Sequence, residues 1–534
     1  MKSARLVVFL CALALIGAGM GYVLSHWLNQ PQDTNLSASA MPERSLERSS
    51  IAPRSDESLG LVQGRLTPSI QFPKNAVNGE LVMQFESRED YDAYLTALAS
   101  KGLKPLGTMD RLLALRIQSD MAYRLNPNDY SAQLDFSYEI RQPLPTTEIP
   151  PEALASLKGF GATAKQIVGG LVEGDGSGVL VAVLDSGLQE HSQFNEVSID
   201  RIDSVGAGID GEGSEHGTSV ASIILGSEGI APNTDLLAIR VLDAKGIGNS
   251  YLVADGIVQA TDMGAQIINL SLAAYNDSSL LRQAVSYAHS QGVLLVAAAG
   301  NDGYNQIAYP AAYENVIAVT AVDASGRQAI FPNQSTKIDI AAPGVSILTA
   351  NEERGLVSFT GTSAAAPFVT GTLASLLSSD VSMTATQAVD TIKSYLNEAG
   401  SAGEDAAYGD GVIDWNRIRE RDTSGVMDLA LADIHLDPSA LPGTTMPIEV
   451  TVQNRGTQWT AVSTLEVVIN GGEPVTFTVA SLGPGLITTR NVYTQVPAEG
   501  SEERFTISAR VIPENLNDDV RLENNSKGAY YQAK

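Results

Sequence analysis

The sequence predicts an α/β fold: a doubly wound parallel sheet with helices on both faces, preceded by a small α+β unit and followed by an antiparallel β-sandwich. Three observations lead to this prediction. Between residues 179 and 344, continuously apolar runs alternate with helical segments, as in parallel strands buried on both faces. The segment before them mixes strand-like alternation with one helical period. After residue 422, strand-like runs recur with turn signals between them.

The N-terminus carries the pattern of an export signal. Lys2 and Arg5 precede an apolar stretch from Leu6 to Leu24, which is long enough to span a bilayer. Two interpretations of residues 1–27 stay open: a cleaved signal peptide and a retained membrane anchor. In both, the rest of the chain faces out of the cytoplasm, so we expect a secreted or membrane-anchored protein, extracellular or periplasmic. Residues 28–74 lack apolar periodicity and are predicted to be a disordered linker.

The α+β unit is predicted over residues 75–142. Residues 80–87 alternate like a strand, and residues 88–101 carry apolar side chains at helical spacing, namely Tyr91, Tyr94, Leu95 and Leu98. A proline-rich segment at 142–151 separates this unit from the main domain, predicted over 143–422. The six apolar runs of its sheet are 179–185, 236–242, 267–272, 294–300, 316–322 and 338–344.

The C-terminal β-sandwich is predicted over residues 423–534. Gly471 and Gly472 link two of its strand-like runs as a hairpin. The predicted strands are 429–436, 447–454, 465–470, 475–482 and 505–512.

Composition excludes several functions. The formal net charge of −27 argues against nucleic acid, because phosphate binding needs a basic face. The single cysteine, Cys11, rules out an internal disulfide and a cysteine metal cluster. Any histidine chemistry must come from only five histidines.

Four polar residues lie at the predicted strand ends and helix starts of the main domain. Asp185 closes a buried apolar run, His216 and Ser363 each stand at a predicted helix start, and Asn301 ends the run at 294–300. Taken singly, each has an ordinary structural explanation as a cap or turn residue. Together they supply a nucleophile (Ser363), its base (His216), an acid that orients the base (Asp185) and an oxyanion donor (Asn301). The chain order Asp, His, Ser is the order found in subtilisin.

Six segments resemble signature segments of the subtilisin-like serine peptidases, in the family's order. The resemblance runs from about residue 165 to 420. It implies peptide-bond hydrolysis through an acyl-enzyme on Ser363, on protein or peptide substrates and with no required cofactor. The segments are VAVLDSG (181–187), HGTSVAS (216–222), GIAPNTDLLAIRVLDAKGIG (229–248), AAAGN (297–301), IDIAAPG (338–344) and GTSAAAPFVTG (361–371).

The resemblance also implies a substrate groove. Ser271, Leu272, Ala273 and Ala274 match the segment that pairs with the substrate backbone as an added strand. Many family members carry two glycines in place of Ala273 and Ala274. Two extra methyl groups would narrow the primary pocket, so we expect small or medium apolar P1 residues, P1 being the residue whose carbonyl is attacked.

The resemblance gives no metal site. The stretch that holds the tight calcium loop of secreted subtilisins is shorter here, between His216 and Gly229. We therefore assign no metal ligands, while a structural Ca²⁺ at another, unidentified position stays open.

The α+β unit and the C-terminal sandwich, which flank the main domain, also resemble known domains. Residues 75–142 resemble the family's propeptides, which implies a zymogen inhibited by its own propeptide. The sandwich resembles the bacterial cell-adhesion-related (CARDB-type) Ig-like domains, through 428–457, LGPG (482–485) and LENNS (522–526). Two roles of the sandwich stay open: a spacer or stabilising appendage, and a domain that docks to a protein or cell surface.

Two rival functions are carried forward. One is a processing protease of narrow specificity. The other is a surface adhesion or binding protein whose subtilase part is an inactive scaffold. The intact set of Asp185, His216, Asn301 and Ser363 argues against the second.

Overall fold

The structure is a computed structural model, and the residues it describes all belong to one compact unit, Thr67–Lys534. The predicted signal or anchor and nearly all of the predicted linker lie outside the described residues. Within the part of the chain that is described, no helix is long and apolar enough to cross a membrane. The described residues are 71–143, 156–351, 355–437, 440–496, 504–515 and 519–532.

The N-terminal unit is an antiparallel sheet packed on one main helix. The predicted helical spacing is confirmed, because Tyr91, Tyr94 and Leu98 are buried on the same helix face. The helix begins after Ser87, whose hydroxyl accepts a hydrogen bond from the backbone N–H of Asp90 at 3.0 Å. The elements are β1 (Ala76–Phe85), α1 (Arg88–Ser100), β2 (Gly107–Met109), β3 (Ala114–Gln118), α2 (Met121–Arg124) and β4 (Ala132–Arg141).

The main sheet has seven parallel strands, and each of the six predicted apolar runs overlaps one of them. The seventh, Ile199–Asp203, escaped prediction because it is a largely polar edge strand. The strands are β5 (Leu180–Asp185), β6 (Ile199–Asp203), β7 (Asp235–Arg240), β9 (Ile267–Leu270), β10 (Leu294–Ala298), β11 (Val316–Val322) and β12 (Ile340–Pro343), with a short β8 (Ile247–Asn249) outside this sheet.

The strand order of this sheet is β12-β11-β10-β9-β5-β7-β6, so the winding direction reverses between β5 and β9. Ligands of open α/β sheets bind at such a reversal, at the carboxyl ends of the strands. Side chains alternate between two apolar cores, one on each face: Val181 and Val183 of β5 face one core, Ala182 and Leu184 the other. The strands are therefore buried on both sides, which is why they are apolar throughout.

Helices cover both faces of this sheet, and a small hairpin precedes the longest helix. That helix carries small residues along its length and is buried from its first residue to Leu376. The helices are α3 (Ala164–Val168), α4 (Glu215–Ile224), α5 (Ser250–Asp262), α6 (Ser279–Ser290), α7 (Thr362–Ser379), α8 (Ala385–Ser394) and α9 (Trp415–Glu420), and the hairpin is β13 (Ile347–Asn351) with β14 (Gly355–Phe359).

The C-terminal part consists of two antiparallel sheets with an apolar core between them, which confirms the predicted sandwich. The hairpin at Gly471 and Gly472 is confirmed by the pairing of the strands on either side. Two strands were missed, Ile487–Gln495 and Ser526–Gln532, because both are rich in polar residues. The strands are β15 (Leu429–Leu436), β16 (Thr445–Asn454), β17 (Ser463–Ile469), β18 (Val475–Val479), β19 (Ile487–Gln495), β20 (Arg504–Ile512) and β21 (Ser526–Gln532).

Buried polar groups join the sandwich to the main domain. The Gln453 side chain accepts a hydrogen bond from the Glu398 backbone N–H (3.0 Å) and donates one to the Leu396 carbonyl (3.2 Å). The carboxylate of Asp433 accepts from the Gly400 N–H at 2.7 Å. The sandwich thus supplies hydrogen-bond partners to buried backbone groups of the main domain.

The carboxyl group of Glu398 lies at this junction, in surroundings that disfavour its negative charge. Burial, reinforced by the nearby negative charges of Asp405 and Asp433, raises the pKa of Glu398 to about 7. In the unfolded chain the same group ionises near its ordinary value of 4.5. The folded protein therefore binds a proton that the unfolded chain releases, and stability falls as the pH rises from about 4.5 to 7.

We predict that Glu398→Gln stabilises the protein more at pH 8 than at pH 5. The amide keeps the size of the side chain and removes the buried charge, a gain on the order of 2 kcal/mol at pH 8. Thermal unfolding at both pH values measures this. The exposed neighbour Glu404 provides the control, Glu404→Gln, which should leave the melting temperature nearly unchanged. An equal shift for Glu398→Gln at both pH values would contradict the prediction.

Candidate active site

The four predicted residues are placed by the ends of strands and the starts of helices. Asp185 is the last residue of β5, and Asn301 follows the end of β10 by three residues. His216 and Ser363 are each the second residue of a helix, α4 and α7. The carboxyl ends of parallel strands meet at one edge of a sheet, so this arrangement gathers residues far apart in sequence.

Asp185 and His216 form a buried pair. The His216 Nδ1 lies 2.8 Å from Asp185 Oδ1, and the two side chains are 6% and 1% exposed. The same carboxylate oxygen accepts from the Ser186 N–H at 2.7 Å. A carboxylate at Nδ1 favours the tautomer with its proton there, which leaves Nε2 as the basic nitrogen.

Close packing around this pair requires a glycine. A Cβ at Gly217 would lie 2.2 Å from the Gly187 carbonyl oxygen and 3.1 Å from the Asp185 Cβ. Glycine therefore lets the first turn of α4 approach the end of β5. On its other side the His216 ring meets the edge of Phe359, with ring centroids 5.2 Å apart at 85°. Sequence reasoning missed Phe359, which belongs to the hairpin before α7.

Ser363 lies at the start of α7, where the helix dipole favours negative charge. Its hydroxyl is 3.5 Å from the Ser271 carbonyl oxygen. Among the described residues the His216 Nε2 has no hydrogen-bond partner, so the bond between His216 and Ser363 is not formed here. Such hydrogen bonds are often long or poorly aligned before substrate binds.

Asn301 is held in one orientation. Its side-chain oxygen accepts two hydrogen bonds from Thr362, from the backbone N–H (2.9 Å) and from the hydroxyl (2.8 Å). The amide nitrogen must therefore point the other way. A Cβ at Gly361 would lie 2.8 Å from that nitrogen and 3.6 Å from the Ser363 backbone nitrogen. Two N–H donors thus lie around one small space that glycine leaves open, as an oxyanion site requires.

The chain's own residues 139–143 lie across this site. Arg141 and Ala273 exchange both backbone hydrogen bonds, at 2.9 and 2.8 Å, and the Gln142 N–H donates to the Gly246 carbonyl at 3.0 Å. The amide nitrogen of Asn301 donates to the Pro143 carbonyl at 2.5 Å. Of the predicted groove segment Ser271–Ala274, Ala273 pairs with the passing strand and Leu272 is fully buried.

Buried polar groups beneath the site tie it to the sheet. The Asn269 amide donates to the Ser271 hydroxyl at 3.0 Å, and that hydroxyl donates to the Ser363 carbonyl at 3.2 Å. Thr370 donates to the Asn269 side-chain oxygen at 2.9 Å. Sequence reasoning missed Asn269 and Thr370. The signal for Asn269 was its polarity inside the apolar run 267–272, where an unpaired amide would be costly.

Metal ligation has no candidate in the described part of the chain. No cluster there of three or more His, Cys, Asp or Glu side chains could hold an ion.

Comparison with known proteins gives relatives for both large domains. The subtilase family model matches residues 176–411, and the CARDB model matches residues 427–529. Subtilisin Savinase from Lederbergia lenta is 38% identical over 249 residues, which are 45% of this chain and 89% of that protein.

Other relatives are matched over less of their length. An alkaline protease from Alkalihalobacillus alcalophilus is 38% identical over 249 residues, and alkaline elastase YaB from Bacillus sp. (strain YaB) is 36% identical over 249. The chain spans 63% and 64% of these two proteins. The solved prenylagaramide maturation protease PagA is 29% identical, with a TM-score of 0.43 over 48% of this chain and 97% of that one.

The identity of 38% over 89% of a subtilisin, and the family model that matches residues 176–411, show that this chain belongs to the subtilase family and carries a CARDB domain after its subtilase domain.

Proposed function

We propose that the chain is a subtilisin-type serine endopeptidase, made as an exported zymogen, with Asp185, His216 and Ser363 as its catalytic triad. One observation carries this proposal. The carbonyl of Pro143 accepts a hydrogen bond from Asn301 next to Ser363, while the residues before it pair with Ala273 as an added strand. This is the position that a scissile carbonyl must occupy.

The geometry supports a two-step hydrolysis. The Ser363 Oγ attacks the carbonyl carbon while His216 Nε2 takes the hydroxyl proton, and Asp185 stabilises the imidazolium. The oxyanion is held by the Asn301 amide and the Ser363 N–H. The carbon–nitrogen bond then breaks as His216 gives its proton to the leaving amine. Water attacks the acyl-enzyme by the same route, which releases the acid and restores the serine.

The zymogen part of the proposal rests on how the α+β unit docks. Strand β4 continues past its own sheet and pairs antiparallel with β8 of the subtilase domain. Ile140 is fully buried in the core that lies on that face of the main sheet. Arg111 and Asp262 form an ion pair across the contact at 3.0 Å, and Ser279 donates to Asp135 at 2.6 Å. Substrate cannot enter a cleft occupied this way, so we infer that residues 75–142 inhibit the enzyme.

The bond to be cut follows from the same geometry. The carbonyl in the oxyanion site belongs to Pro143, so self-processing would cleave between Pro143 and Leu144. Leu144 lies outside the described residues. The mature chain would then begin at Leu144 and keep both the subtilase and CARDB domains.

The rival functions differ in the features that they require of the site. An adhesion protein with an inactive subtilase scaffold needs no oriented Asn301 and no buried Asp185–His216 pair, so the site favours an enzyme. The CARDB domain is firmly joined to the subtilase domain through Gln453 and Asp433, which favours a fixed accessory over a free spacer. Docking of this domain to a cell surface stays a proposal, as do a structural Ca²⁺ and secretion.

We predict that Ser363→Ala abolishes self-processing. The wild-type chain should lose residues up to Pro143 and show Leu144 as its new N-terminus, because only the serine can attack the Pro143 carbonyl. Intact mass of both proteins, expressed in the same host, measures this. If Ser363→Ala is trimmed at the same bond, another protease does the cutting, and the self-processing proposal fails.

We predict that Asn301→Ala slows the chemical step with little effect on substrate binding. Loss of the corresponding donor in subtilisin itself lowers kcat about 10²–10³-fold, and we expect a loss of that order here. Peptide hydrolysis by the mature enzyme gives kcat and KM separately. The matched control is Asn305→Ala, an exposed asparagine of the same loop. A loss confined to KM would contradict the assignment of Asn301 to the oxyanion.

A further inference from the structure

The space beside the Pro143 carbonyl is bounded by two backbone walls. One is Ser271–Ala274, which pairs with Arg141, and the other is 299–301, which ends in the oxyanion donor. Both walls are joined to the segment at 308–309: Tyr309 and Ala274 exchange hydrogen bonds at 2.8 and 2.9 Å, and the Ala308 N–H donates to the Ala299 carbonyl at 2.9 Å. The walls are therefore fixed relative to each other, and Pro143 is buried beside them.

Tyr275 connects these two walls. Its backbone directly follows Ala274 at the end of the first wall. Its hydroxyl donates to the carboxylate of Asp302 and accepts from the Asn333 amide at 2.9 Å. A Cβ at Gly300 would lie 3.2 Å from that hydroxyl. With its backbone at one wall and its hydroxyl at the other, the Tyr275 side chain links the two walls.

Hydrogen bonds and ring packing hold the hydroxyl end of the Tyr275 side chain in place. The Asn333 side-chain oxygen accepts from the backbone N–H groups of Asp302 (3.1 Å) and Tyr304 (3.0 Å), which fixes the amide that donates to Tyr275. The ring of Tyr304 packs at 5.2 Å from that of Tyr275. Burial and the Asp302 carboxylate raise the pKa of Tyr275, so its hydroxyl keeps the proton that it donates. A ring anchored in this way would lose hydrogen bonds if it swung aside.

We propose that Tyr275 is a specificity-determining residue that closes the primary pocket and restricts P1 to small side chains such as alanine and proline. This inference rests on the proposed function. The methyl groups of Ala273 and Ala274 narrow one wall, while Tyr275 limits how far a side chain can extend between the walls. A phenylalanine or lysine at P1 would have to displace the anchored ring.

Pro143, the residue that the chain itself places at P1, is consistent with this limit on side-chain size. Pro143 is small, but it lacks a backbone N–H. In an antiparallel ladder, hydrogen-bonded pairs recur every second residue, so the pair after Arg141 and Ala273 is residue 143 with Ser271. Proline cannot donate to the Ser271 carbonyl. The order of preference at P1 is therefore alanine first, proline second and phenylalanine last.

Peptides that differ only at P1 test the pocket directly. With the mature enzyme, we expect kcat/KM to be at least about 10-fold higher for alanine than for phenylalanine. Tyr275→Ala should raise kcat/KM for the phenylalanine peptide about 10-fold and change the alanine value less than about 3-fold. Tyr275→Phe keeps the ring but removes both hydrogen bonds that anchor it, so its kcat/KM for the phenylalanine peptide should lie between those of the wild type and Tyr275→Ala. The exposed Tyr493→Ala serves as the control and should leave the profile unchanged.

A second measurement does not depend on how Tyr275 variants fold. In the full chain with wild-type Tyr275, Pro143→Ala should process itself faster than wild type, and Pro143→Phe should process itself more slowly. A profile led by phenylalanine or lysine, or faster processing of Pro143→Phe, overturns the inference while leaving the peptidase intact. No hydrolysis of any peptide by correctly processed protein overturns the proposed function itself.

Discussion

The two hydrogen bonds from Thr362 to the side-chain oxygen of Asn301 are the constraint on which the site depends. They tie the segment after β10 to the first turn of α7, the two pieces of chain that carry the proposed oxyanion donors. Because the oxygen already has two donors, the amide cannot turn over, and its nitrogen must face the cleft. The absence of a side chain at Gly361 keeps that space open. Orientation before substrate arrives is what makes such donors effective.

The same arrangement underlies the self-inhibition that we propose. The groove offers backbone groups to any extended segment, and β4 supplies one that ends in the oxyanion site. Binding is shared between this ladder and the docked α+β unit, whose apolar residues, including Ile140, merge with the main core. Under the proposed processing, cleavage after Pro143 would leave the new end of the α+β unit paired with the groove through these ladder contacts. The structure thus combines a substrate-like tail with a larger surface that holds it in place.

Much of the fold could be read from the sequence because burial on both faces makes parallel strands apolar throughout. Edge strands such as Ile199–Asp203 and Ile487–Gln495 face solvent or mix polar with apolar residues. Their apolar pattern was therefore too weak to predict a strand. The four candidate active-site residues could be proposed from the sequence because each lies in a short local motif near a glycine or at a strand end. Phe359, Thr370 and Tyr275 could not be, since their roles come from contacts between segments distant in sequence, such as Tyr275 with Asn333.

Covalent labelling by a serine-directed phosphonate, located by peptide mapping, tests most directly whether these residues form a working nucleophile. The processed wild-type protein should carry one adduct, on Ser363, and His216→Ala protein with its inhibitor segment removed by another protease should carry almost none. Labelling of Ser363 at an equal rate in both would show that His216 does not activate it. An unlabelled, processed wild type would mean that the subtilase domain is an inactive scaffold.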